Sequence, residues 1–300
     1  MAGGVALALS QPHALQRIPS TAAGGKELSS NDRHMEEPPA RKAIVFPASS
    51  EFQKARLLLE SLGLHYGVIS PDPGYALVGA PALISDLQGL AAVHDACSEI
   101  ACAGWVDYRP AGVPVPHEPP RRFEPDVFGQ AAVMFIGPCM ADPTKVRLIA
   151  HIGGDLTEVL PYLNAAMPHA CFNPGSPSLT LMEGQRLITI YPRKVAIGKA
   201  EELVDGWRAI EFVRTLANSV WAGRASISPS HKARSKPPLL ALYRLLPRID
   251  CKACGEATCM AFAARLWKGT AGPSACPPLA SPEYSSLRAA LVELCGVDAP

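Results

Sequence analysis

The chain has 300 residues, enough for one sizeable core or for two or three small ones, and its apolar share of 48% fits a globular protein rather than a disordered one. Only 18% of residues are charged and the formal net charge is +1, so no global field points to a nucleic acid or a membrane surface as partner. Two counts stand out. Thirty prolines are twice the usual share of about 5%, which favours short elements, and nine cysteines are odd in number and too sparse for a disulfide scaffold.

In chain order, residues 1–40 mix Ser, Gly, Pro and charges without a period and read as a flexible tail. No basic segment precedes the first apolar patch, so no secretory signal is expected. The longest apolar run, 131–137, is far short of the ~20 residues that span a bilayer. The expectation is a cytoplasmic protein, with thiols reduced and available for metal.

From residue 41 the pattern becomes regular. Ala43-Ile44-Val45-Phe46 predicts a buried strand. Ser50 and Gln53 have capping-box spacing for a helix with Phe52, Ala55, Leu58 and Leu59 on its apolar side and Gly63 at its end. Residues 65–69 predict a second strand. The Pro71-Asp72-Pro73-Gly74 turn leads to a third at Tyr75 to Val78. A helix is expected over 84–100 and a fourth strand at 104–108. The order βαββαβ over 41–110 predicts a ferredoxin-like domain.

Six prolines between Pro110 and Pro125 predict a linker, taken as 111–125. A second α+β domain follows over 126–228. Its expected elements are strands at 133–136 and 146–150, a short helix capped by Asp155 and Glu158 and interrupted by Pro161, a hairpin of 179–182 and 187–191 around Glu183-Gly184, a strand at 195–197 and a helix over 201–221. Arg186, Arg193, Lys194 and Lys199 read as solvated charges at a strand edge. A basic, proline-rich hinge at 229–238 introduces the last domain, 229–300.

That domain carries the chemistry. Cys251, Cys254, Cys259 and Cys276 have the spacing C-x2-C-x4-C-x16-C, a metal-ligand pattern in a reducing compartment. Gly255 permits a tight bend, and Cys259 opens a predicted helix to residue 268 whose positive N-terminal end suits anionic thiolates. Four thiolates can hold zinc or a 4Fe–4S cluster, and the absence of a second CxxC pair leans away from a zinc ribbon. Cys97 and Cys102 read as helical core residues and Cys171 as packing. Cys139, after Gly137-Pro138, is the one candidate reactive thiol in a loop, and Cys295 has no assigned role. His151, His169 and His231 are scattered, and no nucleotide-binding glycine motif is present.

Residues 236–280, with Cys251-Lys252-Ala253-Cys254-Gly255-Glu256-Ala257-Thr258-Cys259 and Cys276-Pro277, resemble the small 4Fe–4S domain in the large subunit of the corrinoid iron–sulfur protein and in the B subunit of Rnf-type complexes. Residues 145–280 resemble bacterial and archaeal proteins of unassigned activity that end in this domain. The resemblance implies that all four cysteines bind one cluster, with electrons passing to or from a protein partner such as a corrinoid protein or another metalloenzyme. It implies no catalytic residues. The parent protein continues into a barrel and a cobalamin-binding domain, so the likeness is expected to concern the cluster domain alone. Two other readings remain open from the residues: a zinc-binding interaction module, and a carrier that delivers clusters during assembly.

Overall fold

The computed structural model describes residues 41–110, 112, 118–268 and 270–295, all within one compact unit. The expected tail lies outside them, as do part of the proline-rich segment and Gly269. The fold is mixed α+β, with two antiparallel sheets and a C-terminal region of short helices and turns.

The first sheet is built from β1 (Lys42–Val45), β2 (Gly67–Ile69), β3 (Ala82–Ser85) and β4 (Gly104–Asp107), in the order β2-β3-β1-β4 with every pair antiparallel. Helices α1 (Ser49–Ser61) and α2 (Leu87–Asp95) complete the βαββαβ order. The two-residue period of β1 explains its unbroken apolar run. Ile44 joins Phe46, Phe52 and Leu59 in a core with the helices, whereas Ala43 and Val45 enter a second core shared with the other sheet.

Three local expectations are corrected. The third strand is 82–85. Residues 73–75 form a single 3-10 turn, because Pro73 presets its first position and Tyr75 is drawn into the shared core. The second helix starts at Leu87, since the Asp86 carboxylate accepts the N–H groups of Gln88 and Gly89 at 3.0 Å each. No capping box forms at Ser50: α1 is entered from Ala48 without a side-chain cap, and Glu51 accepts the Ala101 N–H instead. Gly63, at φ +67°, ends α1 as expected.

The second sheet has six strands, β5 (Ala131–Pro138), β6 (Val146–Ile152), β7 (Cys171–Asn173), β8 (Ser178–Glu183), β9 (Arg186–Ile190) and β10 (Lys194–Ala200), in the order β5-β6-β10-β9-β8-β7. Helix α4 (Leu203–Ala222) covers its inner face with Trp207, Ile210, Val213 and Ala217, while α3 (Leu160–Ala166) is short and is not interrupted by Pro161, which sits in its first turn, where the missing N–H costs nothing. Asp155 does not cap α3; it closes a local turn by accepting the N–H and hydroxyl of Thr157. Arg186 is not a solvated edge charge either. Its side chain is buried in ion pairs with Asp205 and Glu183, which a β9–α4 contact requires of an inward-facing guanidinium.

The two sheets meet where the Ile136 N–H donates to the Ala103 carbonyl at 2.9 Å. Gly104 permits this approach. Its φ is +129°, and a Cβ there would lie 2.2 Å from the Ile136 carbonyl oxygen.

The basic segment after α4 is pinned along the second sheet. Asn164, fully buried on α3, donates through its amide to the carbonyls of Ser230 and Lys232 at 2.8 and 3.0 Å. Arg234 then exchanges two backbone hydrogen bonds with Phe172 of β7, at 2.8 and 3.0 Å. Asn164→Leu leaves two carbonyls unpaired and is expected to cost about 1–3 kcal/mol, read as a lower urea midpoint at unchanged slope.

Candidate metal centre

The cluster-like cysteines sit in a third, separate core. Helices α5 (Leu239–Arg244), α6 (Cys259–Lys268) and α7 (Ser285–Cys295) enclose Leu242, Leu246, Phe262, Ala263, Leu279 and Leu291, with Cys259 and Cys276 buried among them. Cys254 is half-buried against the same core and Cys251 is exposed. Thus one side of the set faces apolar packing and the other faces solvent.

The loop before α6 has an uncommon backbone. Arg248, Asp250 and Lys252 all take positive φ, between +46° and +59°, and Gly255 follows at +83°. Non-glycine residues adopt this region at a cost, and its recurrence around two cysteines marks a site. Left-handed residues spaced through a loop turn successive N–H groups toward one side, the concavity that anionic clusters occupy. The Gly255 N–H closes the turn onto the Lys252 carbonyl at 2.9 Å.

Two caps fix Cys259. The Asp250 carboxylate accepts its N–H at 2.6 Å, and the Thr258 hydroxyl oxygen accepts the Ala261 N–H at 3.1 Å. Glu256 pairs with Arg265 at 3.1 Å, tying the loop to the helix it leads into. Cys276 is held between 3-10 turns at Pro273–Ala275 and Pro277–Ala280, its own N–H donating to Pro273 and its carbonyl accepting from Leu279. Pro277 therefore stands at the start of a turn, where its fixed φ is an advantage.

Electrostatics ties the four together. Burial pushes the Cys276 thiol up, the Leu279 N–H opposes that, and the charges of Cys254, Cys259 and Cys251 push it further up. A buried thiol crowded by three others gains from a cation placed among them. Among the described residues, no three His, Cys, Asp or Glu side chains converge as ligands of a single ion.

Cys97, Cys102, Cys139 and Cys171 stand apart from this segment. Cys97 is exposed in the turn beyond α2, contrary to the helical core position expected of it, because α2 ends at Asp95. Cys102 is half-buried beside the Val45 carbonyl, and burial pushes its thiol up. Cys139 is buried at the end of β5. Burial raises its pKa, but the N–H groups of Ala141, Asp142 and Lys199, with the Lys199 charge, outweigh that and hold the thiol below its ordinary value. Cys171 lies half-buried on β7.

Comparison with known proteins places the segment in a class. The family model described as "Putative Fe-S cluster" matches residues 246–278, which include all four cysteines. The C-terminal region thus carries an iron–sulfur cluster domain of the kind shared with the corrinoid iron–sulfur protein. The acetyl-CoA decarbonylase/synthase complex subunit gamma 2 of Methanosarcina thermophila is 52% identical over 40 residues, 13% of this chain and 8% of that protein. Subunit gamma from Methanocaldococcus jannaschii is 40% identical over 53 residues, 18% and 11% of the two chains. The chain therefore spans about a tenth of the length of these relatives. No solved structure matches. No helix among the described residues is long and apolar enough to cross a membrane.

Proposed function

We propose that residues 229–300 bind one 4Fe–4S cluster through Cys251, Cys254, Cys259 and Cys276, and that the protein passes single electrons to or from a protein partner in the cytoplasm. The family match over the segment holding all four cysteines carries this reading. The left-handed loop and the crowding of the Cys276 thiol by Cys254, Cys259 and Cys251 support it. A single zinc ion would draw its four sulfurs to within about 4 Å of one another, given Zn–S bonds near 2.3 Å. A cuboidal cluster instead spreads its ligands over four irons, and a segment with one CxxC pair rather than the two of a zinc ribbon favours it.

When bound, such a cluster supplies one-electron chemistry. The chain's own contribution is to hold it. Asp250 and Thr258 fix the start of α6, whose positive N-terminal end suits the negative charge of a thiolate-bound cluster. The exposed side, at Cys251, is where a partner would approach. We assign the partner to the class of metalloenzymes or corrinoid proteins by analogy with the gamma subunits. We further read 41–110 as a ferredoxin-like domain, from its βαββαβ order and strand order, and 126–228 as a second α+β domain; both would serve partner binding.

Protein purified without oxygen is expected to be brown, to contain about four iron and four sulfide per chain, and to give an EPR signal on reduction. Stoichiometric zinc, with iron absent even after anaerobic reconstitution, would overturn the cluster. Incubation of the holo form with an apo-metalloprotein separates electron transfer from cluster delivery: departure of iron along with the electron would replace the electron-transfer reading by a carrier.

A further inference from the structure

A cavity of about 220 Å³ lies where the edge of the second sheet faces α5 and α6. Its walls divide by chemistry. Leu181, Leu187, Leu242, Leu266 and Trp267 supply an apolar body, and Leu187 and Trp267 are large side chains left partly open to solvent. The charged groups on its lining are Arg234, Lys236 and Lys268, and no Asp or Glu is among the described lining residues.

None of these three cations has a carboxylate partner among the described residues, whereas Arg186, Arg214 and Arg265 all do. Arg234 spends its guanidinium on the carbonyls of Asn164 and Met167, at 3.0 and 2.9 Å, which fixes the wall but leaves the charge uncompensated. The Lys236 ammonium rests 3.8 Å over the Trp267 ring centroid. This half-buried ammonium lies on an aromatic face beside an apolar hollow, with no carboxylate paired to it among the described residues.

We infer that this cavity binds a compact organic carboxylate with an apolar body, its carboxylate at Lys236 and its body against Leu187, Leu266 and Trp267. The cavity is smaller than the roughly 300–1,000 Å³ of drug-sized sites, so the ligand is a small acid rather than a nucleotide. Two further facts agree. Burial pulls the Lys236 pKa down, while the neighbouring Cys171 partly restores it, so a bound anion would relieve a strained charge. The site is also preformed, because the Arg234–Phe172 backbone pair fixes the segment that carries Lys236. This inference does not depend on the cluster.

The test uses the full chain and isothermal titration with benzoate, benzyl alcohol, benzylamine and inorganic phosphate. Benzoate is expected to bind one per chain, about tenfold or more tightly than the other three. Lys236→Gln should weaken it by about tenfold, and Lys236→Arg should restore most of that, with iron content and unfolding midpoint unchanged in both. Benzoate should also slow carboxymethylation of Cys171. Equal affinity for benzoate and benzyl alcohol would remove the charge from the argument. Phosphate binding as tightly as benzoate would remove the apolar body. Unaltered benzoate affinity in Lys236→Gln would overturn the site.

Discussion

Serine in place of Cys276 is expected to strip the protein of most of its iron, at least tenfold relative to wild type. Cys276 is buried among Leu242, Phe262 and Leu279, with Cys259 in the same core. A hydroxyl there is a poor ligand for a soft metal site. Because ligand binding and folding of a small metal domain are one equilibrium, the C-terminal region should also lose its cooperative unfolding. Cys251→Ser should be milder, since Cys251 is exposed and water can occupy the position. Asp250→Ala removes the acceptor that positions Cys259 and should lower iron retention by about tenfold, an effect acting through the helix cap and not through a ligand. Cys102→Ser and Cys171→Ser should leave iron unchanged. If iron content falls equally in both groups, the division of the cysteines is wrong.

The cluster segment was legible from sequence for a physical reason: thiolate spacing, a glycine and a helix start all constrain the same ten residues. The predicted helix at Cys259 and the left-handed bend at Gly255 agree with the structure. What spacing could not convey is the strain at Arg248, Asp250 and Lys252, because three ordinary residues with positive φ leave no compositional trace. Local pattern also failed where tertiary packing overrode it. Tyr75 to Val78 looks like a strand, yet its residues are pulled into the core between sheets as a turn. Arg186 looks like an edge charge until Asp205, 19 residues later, comes back on α4 to meet it. Neither α5 nor α7 is expected from the sequence: α5 is only six residues long, and both helices lean on the cysteine core rather than on their own periodicity. The proline-rich region behaved similarly. Composition predicts a linker through 125, and it says nothing of the contacts with α4 made by Arg121 within that stretch and by Asp126 just after it.

Those contacts converge on one side chain, and removing it should be costly. Arg214 is wholly buried on α4 and donates to Glu211 through Nε and Nη2 at 2.8 Å each, to the Asp126 carboxylate at 3.1 Å and to the Arg121 carbonyl at 2.7 Å, with Phe123 stacked alongside. Asn218, one turn further on, donates to Asp126 and accepts the Val127 N–H, both at 2.8 Å. Arg214→Met keeps the bulk but leaves Asp126 and Glu211 without their cation, and should destabilise the fold by about 3–5 kcal/mol at pH 7. The pH dependence gives the signature. Burial raises the Asp126 pKa, but the Gly129 N–H, the Asn218 amide, the Phe128 N–H and Arg214 together hold it below the usual carboxylate value. A depressed carboxylate contributes stability that is complete above its unfolded pKa near 3.9 and is lost as pH falls through the folded value. Without Arg214 that folded value rises, so acid unfolding should begin at a higher pH in the variant. Its deficit against wild type should shrink once Asp126 is protonated in both. Urea titrations at neutral pH and in the acid limb measure this directly. A deficit below about 1 kcal/mol at pH 7, or one that stays constant into the acid limb, would show that Arg214 acts by packing rather than by charge.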